Sequence, residues 1–157
     1  RPLLFLHPGI GLDRNAPVID KLAERARVIA PSHPGFGNSE QPKSFTTVDD
    51  LAYFYLDLLD ELDLKDTIVV GVSLGAWIAA EIAIKSTARL SHLVLANAVG
   101  IKVGARDTRD IVDIFALTER EREKLADFVP ALAVGDYTAL AQAEVRRAAL
   151  KREGCGR

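Results

Sequence analysis

The chain has 157 residues, enough for one domain with a hydrophobic core. Apolar residues make up 48% of it and charged residues 27%, as in ordinary soluble globular proteins. A net charge of -2, with both signs intermingled, gives no electrostatic reason to expect nucleic acid or an anionic membrane as a partner. The apolar runs are too short to cross a bilayer and no leader precedes the first strand, so we expect a cytoplasmic protein.

The two ends of the sequence predict a fragment of a longer protein. The chain has no methionine, opens inside an apolar strand and closes in the charged residues 151–153. Its single cysteine, Cys155, lies in a glycine-rich tail, where it has no partner for an internal disulfide and no scaffold for catalysis. We interpret this cysteine as incidental.

Strand and helix patterns alternate from the first residues onward. An apolar strand at 2–6 leads into a loop, and apolar positions spaced for a helix follow over about 16–26. A second strand is predicted at 28–30, where Pro31 stops it, and a long turn-rich stretch comes next.

A capped amphipathic helix is predicted after these turns. Thr46 or Thr47 is its N-cap, with Asp49 or Asp50 three residues on in the capping-box position. The apolar residues spaced for one buried face of this helix are Val48, Leu51, Ala52, Tyr55, Leu58, Leu59 and Leu62.

The third strand, at 67–70, is continuous and β-branched, as expected for a strand that is covered on both faces. A small-residue helix from Ala76 to Ile84 and a fourth strand at 93–96 follow it. This alternation is typical of an α/β fold, and it predicts a parallel, doubly wound core over residues 1–100.

The strand–helix alternation stops after Gly100. From Thr108 to about Lys151 the patterns are helical only, which predicts that residues 101–157 begin a helical cap. Charged groups of this segment are spaced for a solvated helix face, and we assign no metal or acid–base role to them: Asp107, Arg109, Asp110 and Asp113. No metal site and no cofactor is predicted elsewhere.

The strongest chemical motif is the pentapeptide Gly71-Val72-Ser73-Leu74-Gly75, which a strand precedes and a helix follows. In this G-x-S-x-G spacing the serine occupies a tight, strained turn that projects its hydroxyl above the sheet. Side chains two residues away on either side would collide, and glycine removes them. An inert serine in a small-residue turn and a phosphate-binding loop are the alternatives. A phosphate-binding loop would need a Lys-Ser/Thr pair at the helix start or a Gly-x-Gly-x-x-Gly fingerprint, and this sequence has neither.

The loop after the first strand, His7-Pro8-Gly9-Ile10-Gly11, is a second candidate element of the site. In an open parallel sheet this loop and the Ser73 turn both lie at the carboxyl ends of their strands, where ligands bind. The backbone N–H of Leu74, with one from Gly9 or Ile10, is predicted to form an oxyanion hole. The alternative is a plain strand-to-helix loop.

These motifs in order, LLFLHPGIG, VIAPSHPGFGNSE, TIVVGVSLGAWIAAEIA and SHLVLANAVG, resemble the α/β-hydrolase superfamily over about residues 2–100. The resemblance implies a nucleophile at Ser73, oxyanion donors from the Gly9 region and Leu74, and a mobile cap formed by the later residues. His33 begins what matches the family's structural loop after the second strand seen here, and it carries over no catalytic role.

The catalytic acid and histidine of that family are predicted to lie outside this chain. Asn97 and Ala98 occupy the place where some members have an acid. His7 and His33 precede the serine, whereas the family order is serine, acid, histidine, and His92 falls at the start of a strand, at the opposite sheet edge from Ser73. None of the three is a convincing general base.

The resulting hypothesis is a serine hydrolase that acts on a small acyl compound through an acyl-enzyme. Serine in place of aspartate argues against the dehalogenase and epoxide-hydrolase relatives, whereas ester hydrolysis, carbon–carbon hydrolysis of diketo acids and acyl transfer stay open. A non-catalytic ligand-binding protein on the same fold and an inactive gene fragment are the alternatives. The oligomeric state is not predicted.

Overall fold

The structure, a computed structural model, describes residues 1–12, 17–101, 104–107, 118 and 120. Its elements in chain order are β1 (Pro2–Leu6), α1 (Pro17–Ala23), β2 (Arg27–Ile29), α2 (Val48–Glu61), β3 (Thr67–Val72), α3 (Leu74–Lys85) and β4 (Leu90–Ala96). The helical cap predicted for residues 101–157, and with it Cys155, falls almost entirely outside the described residues.

The four strands form one parallel sheet in the order β2-β1-β3-β4. The chain leaves β1 toward β2 on one side, crosses back over β1 to β3, and continues outward to β4. Right-handed crossovers then place α1 on the opposite face of the sheet from α2 and α3. The predicted parallel, doubly wound α/β core is thereby confirmed, as four strands of an incomplete sheet. Its topological switch point lies between β1 and β3, where ligands bind in such sheets.

Most predicted elements are present, with shifted ends. The helix expected over about 16–26 is regular only to Ala23, and single turns continue it to Ala26, whose N–H donates to the carbonyl of Leu22. β3 extends to Val72 and so reaches the candidate site directly. β4 begins at Leu90, which makes His92 its third residue, an exposed one, rather than the start of the strand.

The capping box of α2 uses the second of the two threonines. The Thr47 hydroxyl accepts from the Asp50 N–H at 3.2 Å, and the Asp50 carboxylate accepts from the Thr47 N–H at 2.7 Å. Of the predicted buried face, Ala52, Tyr55 and Leu59 are fully buried. Leu62 was expected in that face but is 45% exposed, because it is the C-cap residue where the chain turns away from the sheet.

The core lies between the sheet and the paired helices α2 and α3. Its buried residues are Leu4, Leu6, Ala52, Tyr55, Leu59, Leu64, Val69, Ile78, Ala79 and Ile82. The small residues of α3 allow this helix to pack closely on the strands, which brings its first turn against the carboxyl end of β1. Of the helices within the described ranges, none has both the length and the apolar character needed to cross a membrane.

Candidate active site

The serine of the pentapeptide occupies a strained turn between β3 and α3. Ser73 has φ 53° and ψ −111°, a region that residues with a side chain rarely occupy and that carries about 1–3 kcal/mol of strain. The turn is held from both sides. The Ser73 N–H donates to the Ala96 carbonyl at 2.9 Å, and the Ser73 carbonyl accepts from the N–H groups of Ala76 (3.1 Å) and Val99 (3.3 Å). The end of β4 therefore braces this turn.

The two glycines of the pentapeptide are required by close backbone approach. A Cβ on Gly71 would lie 2.3 Å from the carbonyl oxygen of Gly75, and a Cβ on Gly75 would lie 2.0 Å from the carbonyl oxygen of Leu6. Neither contact is possible without moving backbone. The spacing therefore correctly predicts where side chains would collide, and the lack of a Cβ on Gly75 allows the first turn of α3 to approach β1.

The loop after β1 lies beside this turn at the same sheet edge. Leu6 pairs with Gly71 across the two strands, and the Gly9 Cα faces Leu74 so closely that an added Cβ would be 3.8 Å from the Leu74 Cβ. A tight turn spans Pro8 to Gly11, closed by a 3.0 Å hydrogen bond from the Gly11 N–H to the Pro8 carbonyl. Within the described residues, the backbone N–H groups of Gly9, Ile10 and Leu74 have no acceptor. The structure thus brings together all the predicted site residues.

A buried polar cluster, formed by His7, His33 and Tyr55, lies beneath this loop. All three side chains are fully buried, and the two imidazole rings are 3.7 Å apart between centroids. The Tyr55 hydroxyl donates to His33 Nδ1 (2.5 Å), and His33 Nε2–H donates to the His7 carbonyl (2.9 Å). The His33 backbone N–H donates to His7 Nε2 (2.9 Å), and His7 Nδ1–H donates to the Pro8 carbonyl (2.7 Å).

Both imidazoles of this cluster are neutral, and all four ring nitrogens are engaged. Carbonyl oxygens only accept, so His7 carries its proton on Nδ1 and His33 carries its proton on Nε2. Burial, and next the neighbouring His7 ring, lower the pKa of His33 to about 3. Burial also lowers the pKa of His7, against the opposing effect of its hydrogen bond to Pro8, and it raises the pKa of the Tyr55 hydroxyl. Neither histidine is therefore available as a general base.

The sequence interpretation missed this cluster, although a signal for it was present. The tripeptide His-Pro-Gly occurs twice, at His7 and at His33, each time after one of two neighbouring parallel strands. Such a repetition places two imidazoles at one sheet edge. The third member, Tyr55, was correctly predicted to be buried, but the sequence gives no indication that its hydroxyl has a polar partner.

Neither His92 nor the described residues directly after β4, 97–101, place a base or an acid beside Ser73. His92 is exposed within β4, four residues before the carbonyl of Ala96 that contacts Ser73, a distance of about 13 Å along a strand. Asn97, with φ 48°, occupies the turn directly after β4 and carries an amide, not a carboxylate. In the part of the chain that the structure describes, no three His, Cys, Asp or Glu side chains form a group that could hold a metal ion.

The parallel doubly wound sheet and the serine turn at its switch point define a class of protein. The sequence profile of the alpha/beta hydrolase fold family matches residues 2–152, nearly the whole chain. The chain belongs to this family.

Two curated relatives come from Pseudomonas. The chain is 32% identical over 131 residues to the 2-hydroxymuconate semialdehyde hydrolase of Pseudomonas sp. strain CF600. This match covers 80% of this chain and 46% of the relative. It is 30% identical over 132 residues to the 2-hydroxy-6-oxo-2,4-heptadienoate hydrolase of Pseudomonas putida strain F1, covering 81% of this chain and 48% of the relative. The chain thus spans less than half the length of these relatives.

A solved structure shows the same architecture. A mutant of the meta-cleavage product hydrolase CumD from Pseudomonas fluorescens IP01, in complex with acetates, is 25% identical with a TM-score of 0.65. The match covers 92% of this chain and 56% of that one.

Proposed function

We propose that this chain carries the nucleophile and the oxyanion hole of a serine hydrolase that acts on small acyl compounds. The observation that carries the proposal is the backbone of Ser73, held at φ 53° on a turn that Gly71 and Gly75 leave open. A strained serine at the switch point of a parallel sheet has a stability cost and no structural benefit, whereas it is the arrangement that exposes a nucleophilic hydroxyl. Family membership supports the same conclusion.

In the proposed reaction, Ser73 Oγ attacks the carbonyl carbon of the substrate while its proton passes to a histidine outside the described residues. The tetrahedral oxyanion accepts hydrogen bonds from the N–H of Leu74 and from that of Gly9 or Ile10. Because Leu74 is the first residue of α3, the helix dipole adds to this stabilisation. Collapse of the intermediate expels the leaving group, which takes the proton from that histidine. Water then gives a proton to the same histidine as it attacks the acyl-enzyme, and this proton returns to Ser73 Oγ when the acid product leaves. These steps use protein groups only and call for no cofactor.

The substrate class we favour is an unsaturated oxo acid that is cleaved at a carbon–carbon bond. The support for it comes from the two Pseudomonas relatives, both of which are hydrolases of such compounds. A simple carboxylic ester is the second candidate, because the same serine and oxyanion donors serve it equally well. The small-molecule partner and a cytoplasmic location are part of the same proposal.

The first experiment is covalent labelling of the full-length gene product with a fluorophosphonate, read by mass spectrometry of the Ser73 peptide. We expect stoichiometric labelling, no labelling of Ser73→Ala, and unchanged labelling of Ser44→Ala, whose serine is exposed in the loop before α2. Turnover of a 2-hydroxy-6-oxo-dienoate against that of a p-nitrophenyl ester then separates the two substrate classes. A folded protein that binds these compounds without labelling would favour the non-catalytic alternative.

An activity assay of the 157-residue chain by itself tests whether the general base lies outside it. With all ring nitrogens of His7 and His33 engaged and His92 remote, we expect little or no hydrolysis of p-nitrophenyl acetate above the Ser73→Ala background. Robust turnover that depends on Ser73 would mean that a residue of this chain acts as the base.

A further inference from the structure

The buried cluster of His7, His33 and Tyr55 has no part in the proposed chemistry, yet it contacts the backbone that performs it. Both bonds that leave the cluster end on main-chain oxygens of the loop after β1. His33 Nε2–H donates to the His7 carbonyl, and His7 Nδ1–H donates to the Pro8 carbonyl. Three fully buried polar side chains are costly unless every group has a partner, and here every ring nitrogen has one.

These two carbonyl oxygens are the fixed points of the oxyanion loop. The His7 oxygen lies 2.7 Å from where a Gly75 Cβ would be, so the loop is clamped between His33 and the first turn of α3. The Pro8 oxygen also accepts the Gly11 N–H at 3.0 Å and thus closes the turn that presents the N–H groups of Gly9 and Ile10. The orientation of these donors therefore depends on the two imidazoles.

The hydrogen bonds of the cluster run in one direction, from Tyr55 through His33 to the loop. The His7 carbonyl can only accept, so His33 keeps its proton on Nε2, and the Tyr55 hydroxyl donates to the lone pair that this leaves on Nδ1. The other tautomer would turn a lone pair toward that carbonyl oxygen and lose the bond. Tyr55 belongs to α2, so one hydroxyl connects this helix to the loop through His33.

We propose that His33 and Tyr55 are positioning residues, which act through His7 to hold the Pro8–Gly11 turn so that its N–H groups meet the oxyanion beside Leu74. This inference rests on the proposed serine-hydrolase function. Oxyanion donors stabilise a transition state only when they are fixed beforehand, and a displacement of about 1 Å costs up to about a hundredfold in rate. A loosened turn should therefore lower kcat while the ground-state substrate still binds.

The test uses the full-length gene product with His33→Leu, His33→Gln and Tyr55→Phe, and with His92→Gln as a control at an exposed histidine. Active sites are counted by phosphonate titration, so that rates refer to folded, competent molecules. We expect His33→Leu to lower kcat about thirtyfold with KM within about twofold. Glutamine offers an N–H near the position of His33 Nε2 and should restore kcat to within about fivefold of the parent. Tyr55→Phe should lower kcat about fivefold, and His92→Gln should leave it unchanged.

Unchanged kcat per titrated site in both His33→Leu and Tyr55→Phe would overturn the positioning role, because a purely structural residue changes the folded fraction and not the rate. Activity that survives Ser73→Ala would instead defeat the proposed function. A second readout is independent of activity: ¹⁵N NMR of the imidazoles should show His7 protonated on Nδ1 and His33 on Nε2. Any other tautomer, or a charged ring at neutral pH, would overturn the proposed hydrogen bonds. This measurement uses the parent protein, so it does not depend on whether the variants fold.

Discussion

At the scale of single residues, the site is built by the absence of side chains. Gly75 has no positive φ to explain its identity, so its requirement is steric: the carbonyl oxygens of Leu6 and His7 occupy the space of its Cβ. Gly9 is different, because a Cβ there would meet only Leu74 at ordinary contact distance. Two glycines of one site are thus predicted to respond differently to the same substitution.

Gly75→Ala should lower the free energy of unfolding by about 3 kcal/mol, since the new methyl group overlaps backbone that cannot move without separating α3 from β1. Gly9→Ala is the matched control and should change stability by about 0.5 kcal/mol or less. Urea denaturation of the full-length gene product, followed by circular dichroism, measures both. Equal losses in the two variants would show that the close approach of α3 to the Leu6 carbonyl is not rigid.

His33 predicts a pH dependence of stability. Its pKa is about 3 in the folded protein against 6.5 in the unfolded chain, so between these values the unfolded state binds more protons. The stabilisation is complete above pH 6.5, and it is lost as the pH falls toward 3, at about 1.4 kcal/mol per pH unit. Thermal unfolding between pH 7 and 4.5 should therefore show a shallower pH slope in His33→Gln than in the parent. His92→Gln should keep the parental slope, and a parental slope in both variants would contradict a neutral buried His33.

At the scale of elements, local patterns predict the structure well wherever residues close together in sequence suffice to form a feature. The strand at 2–6, the capping box and the serine turn follow from periodicity, from a hydroxyl followed by a carboxylate, and from glycine spacing. The cluster of His7, His33 and Tyr55 does not, because its successive members are 26 and 22 residues apart and meet only once β2 and α2 have packed. Which threonine caps α2 was also open in the sequence, and it is the register of the helix that decides it.

Thr47→Ala should destabilise the protein by about 1 kcal/mol, since the Asp50 N–H loses its acceptor at the start of α2. Thr46→Ala is the control, because Thr46 precedes the cap and its backbone N–H, which also donates to Asp50, is retained. Chemical denaturation of both variants measures the difference. A larger loss of stability from Thr46→Ala than from Thr47→Ala would show that Thr47 is not the N-cap residue.

At the scale of the whole molecule, the described sheet has two edge strands, β2 and β4, and the site lies on the two strands between them. β1 and β3, which carry the site, are the two inner strands, and each is hydrogen-bonded on both edges. Among the strands that the structure describes, β4 pairs with β3 alone, and its consecutive residues Leu93, Val94 and Leu95 are 39%, 47% and 40% exposed. The same strand braces Ser73 through the Ala96 carbonyl, so the integrity of the turn depends on the least protected strand.

An exposed, apolar edge strand is a template for pairing with another chain, and we expect the 157-residue chain by itself to self-associate through β4. Val94→Lys should reduce its concentration-dependent light scattering several-fold, because a charge on the edge disfavours strand pairing. Ile84→Lys adds the same charge at a more exposed apolar residue, 77% accessible, but on the surface of α3. If Ile84→Lys suppressed scattering as strongly as Val94→Lys, net charge rather than the β4 edge would govern association. Suppression by Val94→Lys alone would identify β4 as the surface through which the isolated chain associates.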